Sequence, residues 1–210
     1  MKHMKTLGLL AVAVMALTAV VGVSSASAFT KFTASKVGAA IEESTITKHV
    51  FEVTGAKTEC TNITYTGATE ALESTKQMVT PKYENCTAFG LPATVTVKNC
   101  TYNLTIGTPT GNTAHMERVN AAEPCEITIL AKNIFGECHV DVTEQTVNGI
   151  SYANGPAGSG DIEVTINATG LSDHVTKSTG VCPLTVGTHT NATYTGKSTV
   201  KAAGATLAVS

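Results

Sequence analysis

Tryptophan is absent from this 210-residue chain, and charged side chains make up only 14% of it. The basic residues are scattered singly. Nucleic-acid binding needs a clustered basic face to neutralise phosphates, so that class is excluded, and an electrostatic role at an anionic membrane surface falls with it. No Cys-x-x-Cys pair occurs, the local signature of a tetrahedral metal site. The histidines beyond residue 28 are dispersed, with no His-x-His or His-x-x-x-His. No Gly-x-Ser-x-Gly elbow is present to carry a hydrolytic serine. Beyond residue 28 long helix-forming runs are missing, as is any second long apolar segment after the first.

That first apolar segment lies in "MKHMKTLGLLAVAVMALTAVVGVSSASAFT". Lys2 and Lys5 precede an uncharged run from Leu7 to Val23, and Ala26-Ser27-Ala28 supplies the small-x-small pattern of a signal peptidase site. Residues 1–28 are therefore expected to be a secretory signal peptide, with Phe29 as the mature start and no membrane attachment after cleavage. The remainder holds 12 basic against 16 acidic side chains. Its length suits one ordinary domain with a real core. Residues 29–46 are expected as a leader or a short helix, centred on "ASKVGAAIEE" (Ala34–Glu43). Residues 47–210 are expected as a single all-β domain.

Period-two alternation dominates residues 47–210. "DIEVTINA" places Ile162, Val164 and Ile166 on one face and Glu163, Thr165 and Asn167 on the other. "TYNLTI", "EITIL", "HVDV" and "PATVTV" repeat the pattern. Turn residues separate them at 108–112, 154–160 and 177–180. Many short strands with regular turn signals predict a two-sheet β-sandwich with Greek-key or jelly-roll-like connections. One internal echo, "TNITYTGAT" at 61–69 and "TNATYTGKS" at 190–198, reads as two strands drawn from one Thr-rich vocabulary.

The six cysteines are Cys60, Cys86, Cys100, Cys125, Cys138 and Cys182. An even number beyond a signal peptide points to three disulfides that staple the fold. Cys100, Cys125, Cys138 and Cys182 each share parity with neighbouring apolar positions, which suits buried staples better than reactive thiols. Hairpin symmetry favours Cys60–Cys86 and Cys100–Cys125, leaving Cys138–Cys182. The rival set is Cys86–Cys100, Cys125–Cys138 and Cys60–Cys182.

The stretches "TPKYENCTAFG", "ATVTVKNCTYNL", "CEITI", "CHVDVTEQT", "SYANG" and "GVCPLTVGTHTNATYTGKSTVKA" resemble a group of secreted six-cysteine proteins of soil actinobacteria. The likeness runs from Val50 to Ala202 and includes every cysteine. It implies an exported β-rich domain. No activity is known for that group, so no catalytic or binding residue is carried over.

Candidate chemistry is thin. Ser172, Asp173 and His174 are consecutive, and an ordinary turn accounts for "GLSDHVT". Glu117, Glu126, Asp141, Glu144, Asp161 and Glu163 are the carboxylates available to a glycosidase, which needs two across a cleft. Asn62, Asn85, Asn99, Asn103, Asn167 and Asn191 are formal glycosylation acceptors, expected to be unmodified. Tyr83, Tyr152 and Tyr194 are the aromatics that would face a ligand if a sugar- or peptide-binding groove exists. No catalytic, cofactor-binding or metal residue is assigned. The expectation is a non-catalytic structural or interaction protein, secreted or associated with the cell wall. Its candidate partners are cell-envelope glycan or another surface protein. An extracellular carbohydrate- or peptide-binding domain is the alternative, and an extracellular hydrolase a weaker one.

Overall fold

The Thr-, Val- and Ile-rich alternation sends one branched apolar side chain inward and one polar side chain outward at each step. The result, in a computed structural model that describes residues 29–108 and 111–210, is a chain of β-strands. They are β1 (Phe32–Ala34), β2 (Ile41–Val53), β3 (Ala56–Thr66), β4 (Glu73–Ser74), β5 (Lys76–Ala88), β6 (Leu91–Lys98) and β7 (Cys100–Thr108). They continue with β8 (Gly111–Arg118), β9 (Glu126–Asn133), β10 (Gly136–Thr143), β11 (Thr146–Asn154), β12 (Ile162–Ser178), β13 (Gly187–Ala202) and β14 (Leu207–Val209). The expected signal peptide, residues 1–28, lies outside the described residues.

The sandwich expectation is corrected. The ring β10-β9-β6-β5-β3-β2-β13-β12 closes through the β10–β12 pairing into an eight-stranded antiparallel barrel. Three further strands, β11, β8 and β7, continue from β12 and rejoin β5. The long strands make this possible. β12 pairs β11 over Ile162–Ile166 and β10 over His174–Ser178. β5 pairs β7 over Lys76–Val79 and β6 over Cys86–Ala88. Half of the wall is therefore β6–β9–β10 at one end and β7–β8–β11 at the other. Alternation in sequence is the same for a sandwich and a barrel; closure rests on pairings between strands far apart in the chain.

The stretch Ala34–Glu43 forms no helix. β1 joins β14 and β4 in a small three-stranded sheet, and β2 begins at Ile41. That sheet covers the end of the barrel where β2 starts and β13 finishes. Phe32, Leu207 and Val209 are buried there, and the Phe32 ring meets Tyr152 edge-on at 5.1 Å. The opposite end carries the β2–β3, β5–β6 and β9–β10 turns and the long β12–β13 loop.

The interior is filled by Ile63, Val79, Met116, Val140, Val164 and Val175 among others. The outer face carries Thr, Lys, Glu and Asn, as on β12 and β13. Apolar inside and polar outside is the reverse of a membrane-spanning barrel. The disulfides are Cys60–Cys86, Cys100–Cys125 and Cys138–Cys182, the set hairpin symmetry favours. The first joins paired positions of β3 and β5. The second fastens the start of β7 to the residue before β9, where the wall divides. The third ties β10 to the β12–β13 loop.

Candidate functional site

The barrel interior holds an unusual load of polar atoms. All five tyrosines of the chain turn inward: Tyr65 from β3, Tyr83 from β5, Tyr102 from β7, Tyr152 from β11 and Tyr194 from β13. Glu43 and His49 of β2 join them, with Ser198 of β13. Two register shifts against β13 turn residues 46–48 of β2 outward and return His49 to the core. Gly196 makes room for the imidazole, since a Cβ there would lie 2.5 Å from the His49 ring.

Ser198, His49, Tyr194, Tyr83 and Tyr102 form one hydrogen-bonded chain. Ser198 Oγ lies 2.9 Å from His49 Nε2, and Tyr194 OH lies 2.7 Å from His49 Nδ1. Tyr194 OH reaches Tyr83 OH at 3.3 Å, and Tyr83 OH reaches Tyr102 OH at 3.2 Å. A neutral imidazole has one N–H and one lone pair, so one hydroxyl donates to His49 and the other accepts from it. Burial keeps the chain uncharged. It pulls the His49 imidazole down to about 4, a hydrogen bond with the Lys197 backbone offsetting a little. It pushes the Glu43 carboxyl up to about 7. The Ser198 hydroxyl nearby lowers that value, but neither buried Glu43 oxygen has a hydrogen bond of ordinary geometry. The five phenols are driven above their ordinary range, first by burial.

A cavity of about 50 Å³ opens beside this chain, where the wall divides. His49, Tyr83, Tyr102 and Tyr194 line one side, and Met116, Ile129 and Leu171 lie among the apolar residues that line the rest. It has room for ordered water between the hydroxyls. Pockets for organic ligands run to several hundred Å³.

The three tyrosines expected to face a ligand do not build an outer aromatic surface. Tyr152 is buried behind Phe32, while Tyr83 and Tyr194 are half-buried with their hydroxyls bonded inside. The turn expected at "GLSDHVT" is also corrected: it lies within β12, bent by register shifts at Ala168/Leu171 and Leu171/Asp173. Alternation then separates the three residues. Asp173 points inward to His189 Nδ1, 3.1 Å from Oδ2, with Oδ1 unpartnered. Ser172 donates its backbone N–H to Gln145, and His174 meets Thr188. Burial raises the Asp173 carboxyl, with His189 offsetting.

The candidate carboxylates disperse. Glu144 pairs with Arg118, Asp161 with Lys201 and Glu163 with Lys197. Glu117 accepts from Asn103, Glu126 from Thr128 and Asp141 from Thr176. None of the six bonds to another. Of the formal glycosylation acceptors, Asn103 is buried, and Asn99 is tied to Asn120 and Glu123. Asn85 and Asn99, the two that open Asn-Cys-Thr, both adopt left-handed φ, 52° and 50°. Asparagine tolerates that conformation better than branched residues. At Asn99 the left-handed residue is the single link between β6 and β7.

Glu43, His49, Ser198, Tyr65 and Tyr102 escaped the sequence reading as a site. One signal was available: the echo places Tyr65 and Tyr194 at equivalent positions, and both face inward from the two strands that flank β2. Among the described residues no group of His, Cys, Asp and Glu side chains is placed to hold a metal ion. Comparison with known protein families, with curated proteins and with solved structures finds no match.

Proposed function

We propose that the protein is a non-catalytic structural or interaction protein, secreted and working at the cell envelope or outside the cell. The observation that carries this is the filled interior. An eight-stranded barrel can hold a small ligand, but this one spends its lumen on its own side chains and keeps about 50 Å³. Recognition is then left to the outer surface and the barrel ends. Three disulfides are compatible with an oxidising compartment, and among the described residues no helix is long and apolar enough to cross a membrane. The inward tyrosines weigh against a carbohydrate- or peptide-binding groove.

The Ser198–His49 contact has the spacing of a nucleophile and its base, so hydrolysis is the reading to test against. Ser198 is only 1% exposed and does not line the cavity, which leaves a substrate no approach. The test is a panel of ester, amide and glycan substrates with the oxidised protein, beside Ser198→Ala. No turnover above background is expected from either. Turnover abolished in Ser198→Ala would overturn the proposal. Fractionation of the producing cells, with the mature N-terminus read by mass spectrometry, tests export; cell-bound protein starting at Met1 would refute it.

A further inference from the structure

The uncovered end of the barrel carries a convex apolar feature and a concave one side by side. The convex feature is the β9–β10 turn, where Ile134 is 91% exposed and Phe135 75%. Isolated exposed apolar residues are ordinary, but two large ones adjacent on a protruding tip are not. This tip is also held rigidly. Asn133 Oδ1 accepts the Phe135 N–H at 2.8 Å. Gly136 and Gly180 let the turn and the β12–β13 loop touch backbone to backbone, where a Cβ on either would collide. Thr179 binds Glu137 through both main chain and side chain, and Lys177 and Lys132 pair with the Glu137 carboxylate. Cys138–Cys182 fastens the base. A rigid tip loses little entropy on burial in a partner.

The concave feature is a groove of about 640 Å³ on the other side of the same loop, between the β2–β3 and β5–β6 turns. Its lining is mixed: Ala56, Phe89, Val181 and Pro183 are apolar, and Thr54, Lys57, Glu59 and Thr87 are polar. Tip and groove therefore lie on one end of one chain, joined by the β12–β13 loop. That is the arrangement a two-fold contact requires, in which each copy gives what the other receives. We propose that the uncovered end is a self-association surface, with Ile134 and Phe135 of each copy seated against Phe89, Val181 and Pro183 in the groove of the other. The occupant is a second copy rather than a lipid surface because the basic collar is weak: Lys132 and Lys177 are both engaged by Glu137. One barrel end offers an interface at the small end of the usual range, below about 1,200 Å² in total. The dimer is accordingly weak and concentration-dependent. This inference rests on the proposed interaction role and specifies its partner.

The experiment is sedimentation velocity on the oxidised, secreted chain across a wide concentration range. Three variants accompany it: Ile134→Ser with Phe135→Ser, Pro183→Asp in the groove, and Phe135→Trp. Tyrosine near-ultraviolet dichroism confirms that each is folded. A reversible dimer is expected in the parent, weakened about tenfold or more by the tip or the groove variant. Mixing those two variants restores part of the association, because one of the two reciprocal contacts is then intact. Phe135→Trp gives the chain its only tryptophan, and its emission shifts to the blue as concentration rises. A parent that stays monomeric throughout overturns the proposal, as does a dimer indifferent to both tip and groove. Binding to phosphatidylcholine–phosphatidylglycerol vesicles that is lost in the tip variant, with no dimer, overturns it in favour of a lipid contact. None of these outcomes bears on hydrolysis, so this inference and the non-catalytic proposal fail separately.

Discussion

Replacing Glu43 with Gln should change how stability depends on pH, and the sign follows from the structure. The Glu43 carboxyl sits at about 7 in the fold against an ordinary 4.5. Between those values the folded protein keeps a proton that the unfolded chain has released, so stability falls as pH rises. A displacement of about 2.5 units is worth on the order of 3 kcal/mol. His49 acts in the opposite direction. Its folded value is about 4 against 6.5, so the unfolded chain holds the extra proton and stability rises with pH across that window, by a similar amount. From about pH 4.5 to 6.5 the two slopes cancel, and the parent protein conceals both. Asp173, Glu84 and Glu137 also titrate with shifted values, so the measured quantity is the difference between variant and parent. Urea unfolding of the oxidised proteins at pH 4.5, 5.5, 6.5 and 7.5, followed by tyrosine fluorescence, supplies it. Glu43→Gln should gain about 3 kcal/mol relative to the parent as pH rises from 4.5 to 7.5. A gap that stays constant within about 0.5 kcal/mol would refute the reasoning. A gap that moves the other way would mean that Glu43 and His49 share an ion pair in the fold.

Four further outcomes rest on the same geometry. His49→Gln should show the mirror image, losing ground to the parent by about 2.5 kcal/mol between pH 4.5 and 7.5 in the same assay. Gly196→Ala should cost about 1–3 kcal/mol, because the added methyl meets the His49 ring; an unchanged melting temperature would rule out that contact. Tyr194→Phe leaves a His49 nitrogen without its partner in a buried site and should cost about 1–3 kcal/mol by chemical denaturation. Asn99→Gly keeps the left-handed backbone but loses the side-chain bonds to Asn120 and Glu123, whereas Asn99→Ala loses both. Thermal unfolding should therefore rank the parent above Asn99→Gly and Asn99→Ala lowest.

Much of the construction was legible in the chain. The alternation of Ile162, Val164 and Ile166 with Glu163 and Thr165 made β12 a strand with one buried face, and the structure buries those three. The symmetry of the segments around Cys60 and Cys86 favoured a paired position, and they face each other across β3 and β5. These features are local, or nearly so, and a period of two needs only neighbours in sequence to declare itself. Ala34–Glu43 reads in sequence as a leader or a short helix, and tertiary pairing with β14 and β13 makes its two ends strand.

What alternation cannot declare is which strand closes the sheet. Whether β12 reaches β10 at one end and β11 at the other depends on its length, its bends at 168–173 and the partners available in space. The interior site depends on the same closure. Glu43, His49, Tyr83, Tyr102 and Ser198 stand on four strands and are unremarkable in sequence. Only when the wall closes do their polar atoms lose water and have to satisfy one another. The sequence by itself determined that the chain is all-β, that one face of each strand is apolar, and which cysteine pairing hairpin register favours. Tertiary structure decided that the sheet is a barrel, that its lumen is filled, and that an apolar tip and a groove share one end. The physical reason is that burial, and with it charge state and contact, is set by non-local pairing.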